Sequence, residues 1–283
     1  MKRENNNKKI NQNKNYSKDL NEKLLIMRHG KTFFNADKDN YSRLVNQNFA
    51  DSRLTPKGIE QAKRQQKLLN SLSIETVYVS PFYRALQTLT ISLENHPDKN
   101  NITVVVHPLI GERTNCINDY ILDIKQTKKD FNINSSIKID WTFFDEYIKG
   151  IKYDENFYYF DNLDCLGERE KNKIYLTLKN YYDKGDIDGL KNGLSNLAKL
   201  ISLKNIRIES LKHLQERFIK FCEYIRERHK DTLNDKIKKI FVVSHGAFMN
   251  VGTDLTPYKS EKEQVNHPGC YRPNNCEILS FKL

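Results

Sequence analysis

Four short apolar runs constrain this chain more than any other feature: Leu24–Met27, Thr76–Val79, Ile102–Val106 and Ile240–Val243. Each is too short for a buried helix and nearly continuous in apolar or β-branched residues. That is the pattern of strands covered on both faces, as in a parallel sheet flanked by helices. Three of the runs stop abruptly and hand over to a turn and a helix. Leu24–Met27 ends in Arg28-His29-Gly30, Thr76–Val79 in Ser80-Pro81, and Ile240–Val243 in Ser244-His245-Gly246. In an open parallel sheet, such strand ends share one edge, and ligands bind there. The spacing predicts that Arg28, His29, Arg84 and His245 meet at that edge.

The intervening segments read as helices. Thr55 caps a helix with Pro56 at its first position, and Ile59, Ala62, Leu69 and Leu72 recur at helical spacing. Ser80-Pro81 is expected to open a second helix in the same way, placing Arg84 in its first turn. A basic side chain there opposes the helix dipole unless an anion is shared with the free backbone N–H groups. A long amphipathic helix starts at Glu209-Ser210-Leu211, with Leu214, Phe218, Phe221, Cys222 and Ile225 on its apolar stripe. Its other face, Arg217 included, is expected to be a solvated surface. Residues 36–53 read as a polar loop. Cys276–Phe281 is a last strand, its position in the sheet open.

The net charge of +11 favours anionic partners, whether phosphate esters, nucleic acid or acidic membranes. Residues 1–20 hold six of the basic groups and two acidic ones in an Asn/Lys-rich tract, expected to be a disordered tail. Residues 21–283 form the folded domain. Within it, residues 124–207 differ in composition and read as an insertion over the sheet edge that shapes substrate choice, with two helices near 168–183 and 187–203. The aromatic group around Trp141, Phe143 and Phe144 reads as local core. The five cysteines show no CxxC or Cys/His zinc spacing, which predicts reduced thiols and a cytoplasmic protein. No metal-ligand set is legible in the spacing. No apolar segment is long enough to span a bilayer, and the N-terminus lacks a secretory apolar core.

Two imidazoles and two guanidiniums gathered together repel one another unless a highly charged anion sits among them, and a phosphoryl group suits that role. Glu112, just past Gly111 and a short apolar stretch, would face it, and like-charge repulsion would favour its protonated form. Asn35, six positions beyond His29, comes within reach of an anion held over Gly30.

The ordered set of motifs resembles the histidine phosphatase superfamily, also called phosphoglycerate mutase-like. It comprises Arg28-His29-Gly30 with Asn35, Leu54-Thr55-x-x-Gly58-x-x-Gln61-Ala62, Ser80-Pro81-x-x-Arg84-Ala85-x-x-Thr88, Glu112-Arg113, Glu209-Ser210 and Ser244-His245-Gly246. The resemblance implies an α/β fold, a three-layer αβα sandwich with a mostly parallel central sheet. It also implies that His29 attacks phosphorus, and that Arg28, Asn35, Arg84 and His245 bind the phosphoryl oxygens. Glu112 would exchange the proton, with His245 beside the reaction and no cofactor needed. The arginine pair and substrate loop of true mutases are not found in the sequence, which favours a metal-independent phosphatase over a mutase. The substrate would be a phosphorylated small molecule or a phosphopeptide. A binding module that keeps the pocket without turnover is the alternative from another class. No nucleic-acid or membrane partner is expected, and the oligomeric state stays open.

Overall fold

The computed structural model describes residues 15–37, 39, 42–135, 137–163, 166–203, 209–235, 237–256 and 271–283. Its strands are β1 (Tyr16–Ser17), β2 (Leu24–Arg28), β3 (Ser73–Val79), β4 (Thr103–Val106), β5 (Ile139–Asp140), β6 (Lys238–Ser244) and β7 (Ile278–Phe281). They form one sheet in the order β1-β7-β2-β6-β3-β4-β5. The run from β2 to β5 is parallel, whereas β7 is antiparallel to both β2 and β1. The last strand, left unplaced by the sequence, thus lies inside the sheet between β1 and β2.

The helices are α1 (Pro56–Leu69), α2 (Tyr83–Leu93), α3 (Ile124–Asn134), α4 (Thr142–Lys149), α5 (Glu168–Asp183), α6 (Ile187–Leu203), α7 (Leu211–Arg228) and α8 (Gly246–Thr253), of which α3 and α4 are additional to the two helices expected in the insertion. Side chains that alternate along the strands feed two cores. Leu25, Met27, Val77, Val79, Phe241 and Val243 pack with α1, α2 and the insertion. Leu24, Ile26, Tyr78, Ile240, Val242 and Leu279 pack with α7 and α8. Layers on both faces are the reason these strands read as unbroken apolar runs. None of the described helices is long and apolar enough to cross a membrane.

Some local expectations change. Residues 15–20 are not part of a disordered tail: Tyr16 and Ser17 pair with Phe281 and Ser280, Tyr16 stacks on Tyr271, and Leu20 packs against the core. Tyr16 and Leu20 supply apolar surface that the Asn/Lys tract otherwise lacks, and residues 1–14 lie outside the described residues. The stretch 36–53 contains a one-turn helix, Ser42–Val45, and a 3₁₀ turn, Gln47–Phe49. In the insertion, Ile139–Asp140 extends the sheet at β4, and Trp141 and Phe144 are buried in the core. Of the five cysteines, Cys116, Cys222 and Cys276 are free and buried. Cys165 and Cys270 lie outside the described residues.

Candidate active site

Register aligns the strand ends. Arg28 pairs with Ser244, and Val79 pairs with both Val243 and Val106. The ladder runs one step further, because His29 N–H donates to the Ser244 carbonyl and Ser80 N–H to that of Val243. The first residues past β2, β6 and β3 therefore stand side by side. The rings of His29 and His245 lie with centroids 5.2 Å apart. Residues 216 positions apart in sequence become neighbours because their strands do.

The turn after His29 is held by α1. A Cβ on Gly30 would stand 2.7 Å from the Gly58 carbonyl oxygen, and one on Gly58 would stand 2.1 Å from that of Lys31. Only two glycines allow this approach. Gln61 accepts from Lys31 N–H, and Thr88 on α2 accepts from Gly30 N–H. The glycine, glutamine and threonine of the motifs thus fix the backbone beneath His29.

His29 is almost wholly buried. Its Nδ1 lies 2.8 Å from its neighbour's carbonyl, that of Gly30. A carbonyl only accepts, so Nδ1 carries the proton and Nε2 keeps its lone pair. Burial, then the charges of Arg84 and Arg28, push the imidazolium well below its ordinary range, against the smaller opposing pull of the Gly30 carbonyl. His245 is depressed likewise, by burial first and then by Arg84, His29, Arg217 and Arg28. Its Nε2 is 2.7 Å from the Ser80 hydroxyl. Ser80 therefore serves as a partner of His245 and not as the expected helix cap. The cap is Phe82, so α2 begins two residues later than Pro81 suggests, with Arg84 still in its first turn.

Arg84 is fully buried. Its guanidinium donates to the Asn118 carbonyl at 2.8 Å and lies 3.4 Å from the Asp119 carboxylate, with Phe82 stacked on it. Burial, with the nearby Glu112 charge, holds the Asp119 carboxyl above its usual range. Arg28 donates to the Pro273 carbonyl. Arg28 Nε, Arg84 Nε and His245 Nδ1 are all shielded from solvent and have no hydrogen-bond partner. Orphaned buried nitrogens of this kind need an explanation, and three converge on one cup.

Glu112 reaches the same place. One carboxylate oxygen accepts from the Ala247 N–H at the start of α8, and the other is 3.9 Å from His245 Nδ1. Asn35 lines the cavity, its side-chain oxygen accepting from Thr32 N–H in a reciprocal cap. The structure brings together Arg28, His29, Arg84, Glu112 and His245, with Asn35 in the wall.

Two contributors escaped the sequence reading. Arg217 is buried at 5% exposure instead of solvated, and makes a two-pronged ion pair with the fully buried Glu209 at 2.7 and 2.9 Å. The same guanidinium donates to the carbonyls of Leu109, Gly111 and Glu112. Its partner Glu209 accepts from Thr114 N–H. The pair therefore fastens the loop that presents Glu112. The signal was present: Arg217 lies three positions after Leu214 and four before Phe221, inside the apolar stripe of α7. The second is a set of metal-ligand type. His29, Glu112 and His245 offer ligand atoms within 4.8 Å of one another, although the spacing in sequence shows none. They arrive from three separate junctions, so no local motif records them. The flanking Arg28 and Arg84 make this cup far more hospitable to an anion than to a cation.

The description "Histidine phosphatase superfamily (branch 1)" belongs to the family whose sequence model matches residues 24–116. Fructose-2,6-bisphosphatase TIGAR B of Danio rerio is 34% identical over 90 residues, which is 32% of this chain and 33% of that protein. The match thus spans about a third of that curated relative. Among solved structures, the alpha-ribazole phosphatase from Shigella flexneri aligns over 92% of this chain and 94% of its own, at 16% identity and a TM-score of 0.43. Phosphoglycerate mutase from Bacillus anthracis aligns over 95% and 93%, at 14% identity and a TM-score of 0.41. The matched stretch contains the Arg-His-Gly junction, the Gly58 helix, Arg84 and Glu112, and over residues 24–116 the chain is similar to the histidine phosphatase superfamily.

Proposed function

We propose that the protein is a phosphomonoester phosphatase that works without a metal ion, through a phosphohistidine on His29. The observation that carries this reading is the His29 Nδ1–H bond to the Gly30 carbonyl, which points an unprotonated Nε2 into a cup of cations. Nε2 attacks phosphorus while the ester P–O bond breaks, and the departing oxygen takes a proton from Glu112. Water then gives a proton to Glu112 and attacks the phosphohistidine. The P–N bond breaks, its electrons return to Nε2, and inorganic phosphate leaves. Arg28, Arg84 and His245 hold the non-bridging oxygens, and the Asn35 amide adds a contact. Fixed guanidiniums supply the charge that a metal ion brings to other phosphoryl transfers. The orphaned buried nitrogens of Arg28, Arg84 and His245 support that placement. The Danio rerio relative is itself named as a phosphatase, in keeping with hydrolysis over transfer. The residues expected to bind or react lie at strand ends, and helix α6 adds Ala198, Ile201 and Ser202 to the cavity wall, which suits an insertion that selects the substrate.

The test is chemical. During turnover of a ³²P-labelled phosphomonoester, acid-labile label accumulates on the protein, and His29→Ala loses both label and phosphate release. A mutant that remains labelled and active rejects the assignment. Release to water, as against transfer to a second position of the substrate, separates phosphatase from mutase in the same assay.

A further inference from the structure

We propose that Asn275 is a positioning residue for His29, its side-chain amide fixing the peptide plane that carries the imidazole. This rests on the reading of His29 as the attacking group.

A peptide is one rigid plane, and a plane beside a glycine is the freest to rotate. The peptide between His29 and Gly30 is such a plane, yet both of its polar ends are held from outside the turn. Its N–H, that of Gly30, donates to Thr88 Oγ1 on α2 at 2.9 Å. Its C=O, that of His29, accepts from Asn275 Nδ2 at 2.9 Å, across 246 positions of sequence. A carbonyl only accepts, so the amide presents its NH2 here. The bond that leaves His29 Nε2 bare runs from Nδ1 to the next carbonyl along, that of Gly30. Where that acceptor points depends on the plane before it. With the plane released, Gly30 can turn away, and the proton can move to the nitrogen that must attack. Asn275 is half-buried and does not line the cavity, so it acts through the backbone.

The amide is delivered by a turn with its own anchorage. Arg28 N–H donates to the Glu277 carbonyl at 3.1 Å, and Cys276 N–H donates to the Arg28 carbonyl at 3.0 Å. The Arg28 guanidinium donates to the Pro273 carbonyl at 2.8 Å. Cys276 has a φ of +58°, a left-handed conformation that side chains other than glycine adopt at a cost. Such strain persists where the surroundings over-determine it. Glu277 closes the turn. One carboxylate oxygen accepts from the Asn274 N–H and side-chain amide at 2.7 and 3.1 Å, and the other accepts from the Tyr271 hydroxyl at 2.6 Å and pairs with Lys18 at 3.1 Å. Tyr16 of β1 stacks on Tyr271. None of these bonds uses the Asn275 side chain, so the turn stands when that side chain is replaced.

The experiment uses two variants. Asn275→Ala removes the amide, and Asn275→Leu fills nearly the same space without a donor. The measured quantities are the single-turnover rate of p-nitrophenol release from p-nitrophenyl phosphate, the inhibition constant of inorganic phosphate and the melting temperature. Both variants should lose about tenfold or more in rate, as a misplaced reacting group does. Inorganic phosphate should bind as in the parent, because Arg28, Arg84 and His245 keep their own contacts. A parental rate in Asn275→Leu overturns the proposal, since packing alone would then be the role. A joint decline of rate, phosphate affinity and melting temperature overturns it too. Should the parent hydrolyse no ester, the phosphatase reading fails, and the positioning role is then decided by nitrogen-15 NMR of the imidazoles, the His29 signal being assigned by its loss in His29→Gln. The parent ring should be the Nδ1–H tautomer and that of Asn275→Ala a mixture, and one pure tautomer in both rejects the role.

Discussion

His29 and His229 are both buried, at 2% and 7% exposure, and both bond through Nδ1, yet they stand at opposite ends of the sheet in opposite company. His229 lies just past the C-terminus of α7. Its Nδ1 is 2.9 Å from the Glu75 carboxylate and its Nε2 is 2.9 Å from the Tyr78 hydroxyl. Glu75 also holds Lys23 at 2.8 Å and accepts from Thr232. Burial would raise the Glu75 carboxyl, but the hydrogen bonds from Lys23 and His229 outweigh it and hold the group below its ordinary value. Every polar atom in that cluster has a partner. At the other end, the guanidiniums of Arg28 and Arg84 and the imidazole of His245 are packed beside His29, and one buried nitrogen of each is unanswered. A histidine that ties elements together is saturated, whereas one that does chemistry keeps a lone pair bare and its neighbours unsatisfied.

That contrast can be broken by substitution. The largest effect is expected for His29→Gln, which should cut turnover by about 10³-fold or more while the melting temperature stays near that of the parent. Comparable turnover would make the two histidines equivalent and dissolve the distinction. Next comes Arg217→Met. Removing one partner of a buried pair strands the Glu209 charge, at a cost of roughly 3–5 kcal/mol in denaturant unfolding. The double variant with Glu209→Gln should recover part of this, and additive losses would argue against coupling. His229→Ala should behave as the mirror of His29→Gln: about 1–3 kcal/mol of stability lost through the unpaired Tyr78 and Glu75, with kcat on a phosphomonoester retained.

The smallest effect is on pH dependence, and it sharpens the comparison. His29 and His245 resist protonation in the folded state, and burial pushes His107 down to about 3. The unfolded chain binds more protons at these positions below about pH 6.5, so stability falls as pH drops through that value. Asp51 runs the other way. Burial raises its carboxyl to about 6, so its contribution is present below the unfolded value of 3.8 and is lost as pH rises through 6. In His107→Phe the acid-side loss should lessen in unfolding measurements. An unchanged acid limb would show that His107 is not a contributor. For activity, the limb reporting the protonation of His29 should lie below pH 6.5.

Much of this arrangement was legible before any coordinates. Two signals in the chain gave the strand ends: short apolar runs and the Gly or Pro that stops them. Thr55 and Pro56 start α1 as the sequence suggests, and the helices of the insertion, α5 and α6, fall where the pattern puts them. Ser80 was misread because a Ser-Pro pair favours a cap locally, while a hydrogen bond to His245 across the sheet claims the hydroxyl. Arg217 was misread because charge on an amphipathic helix defaults to solvent, and only a buried acid from outside that helix reverses the default.

By itself, then, the sequence determined which segments become the inner strands β2, β3, β4, β6 and β7, where they stop and which side chains stand at the stops. Those are consequences of burial periodicity and of backbone freedom at Gly30 and Gly58, both written locally. Only the tertiary structure decided that the stops coincide and which imidazole nitrogen is left bare. Those outcomes depend on strand register and on partners that are distant in the chain, and no local pattern records them.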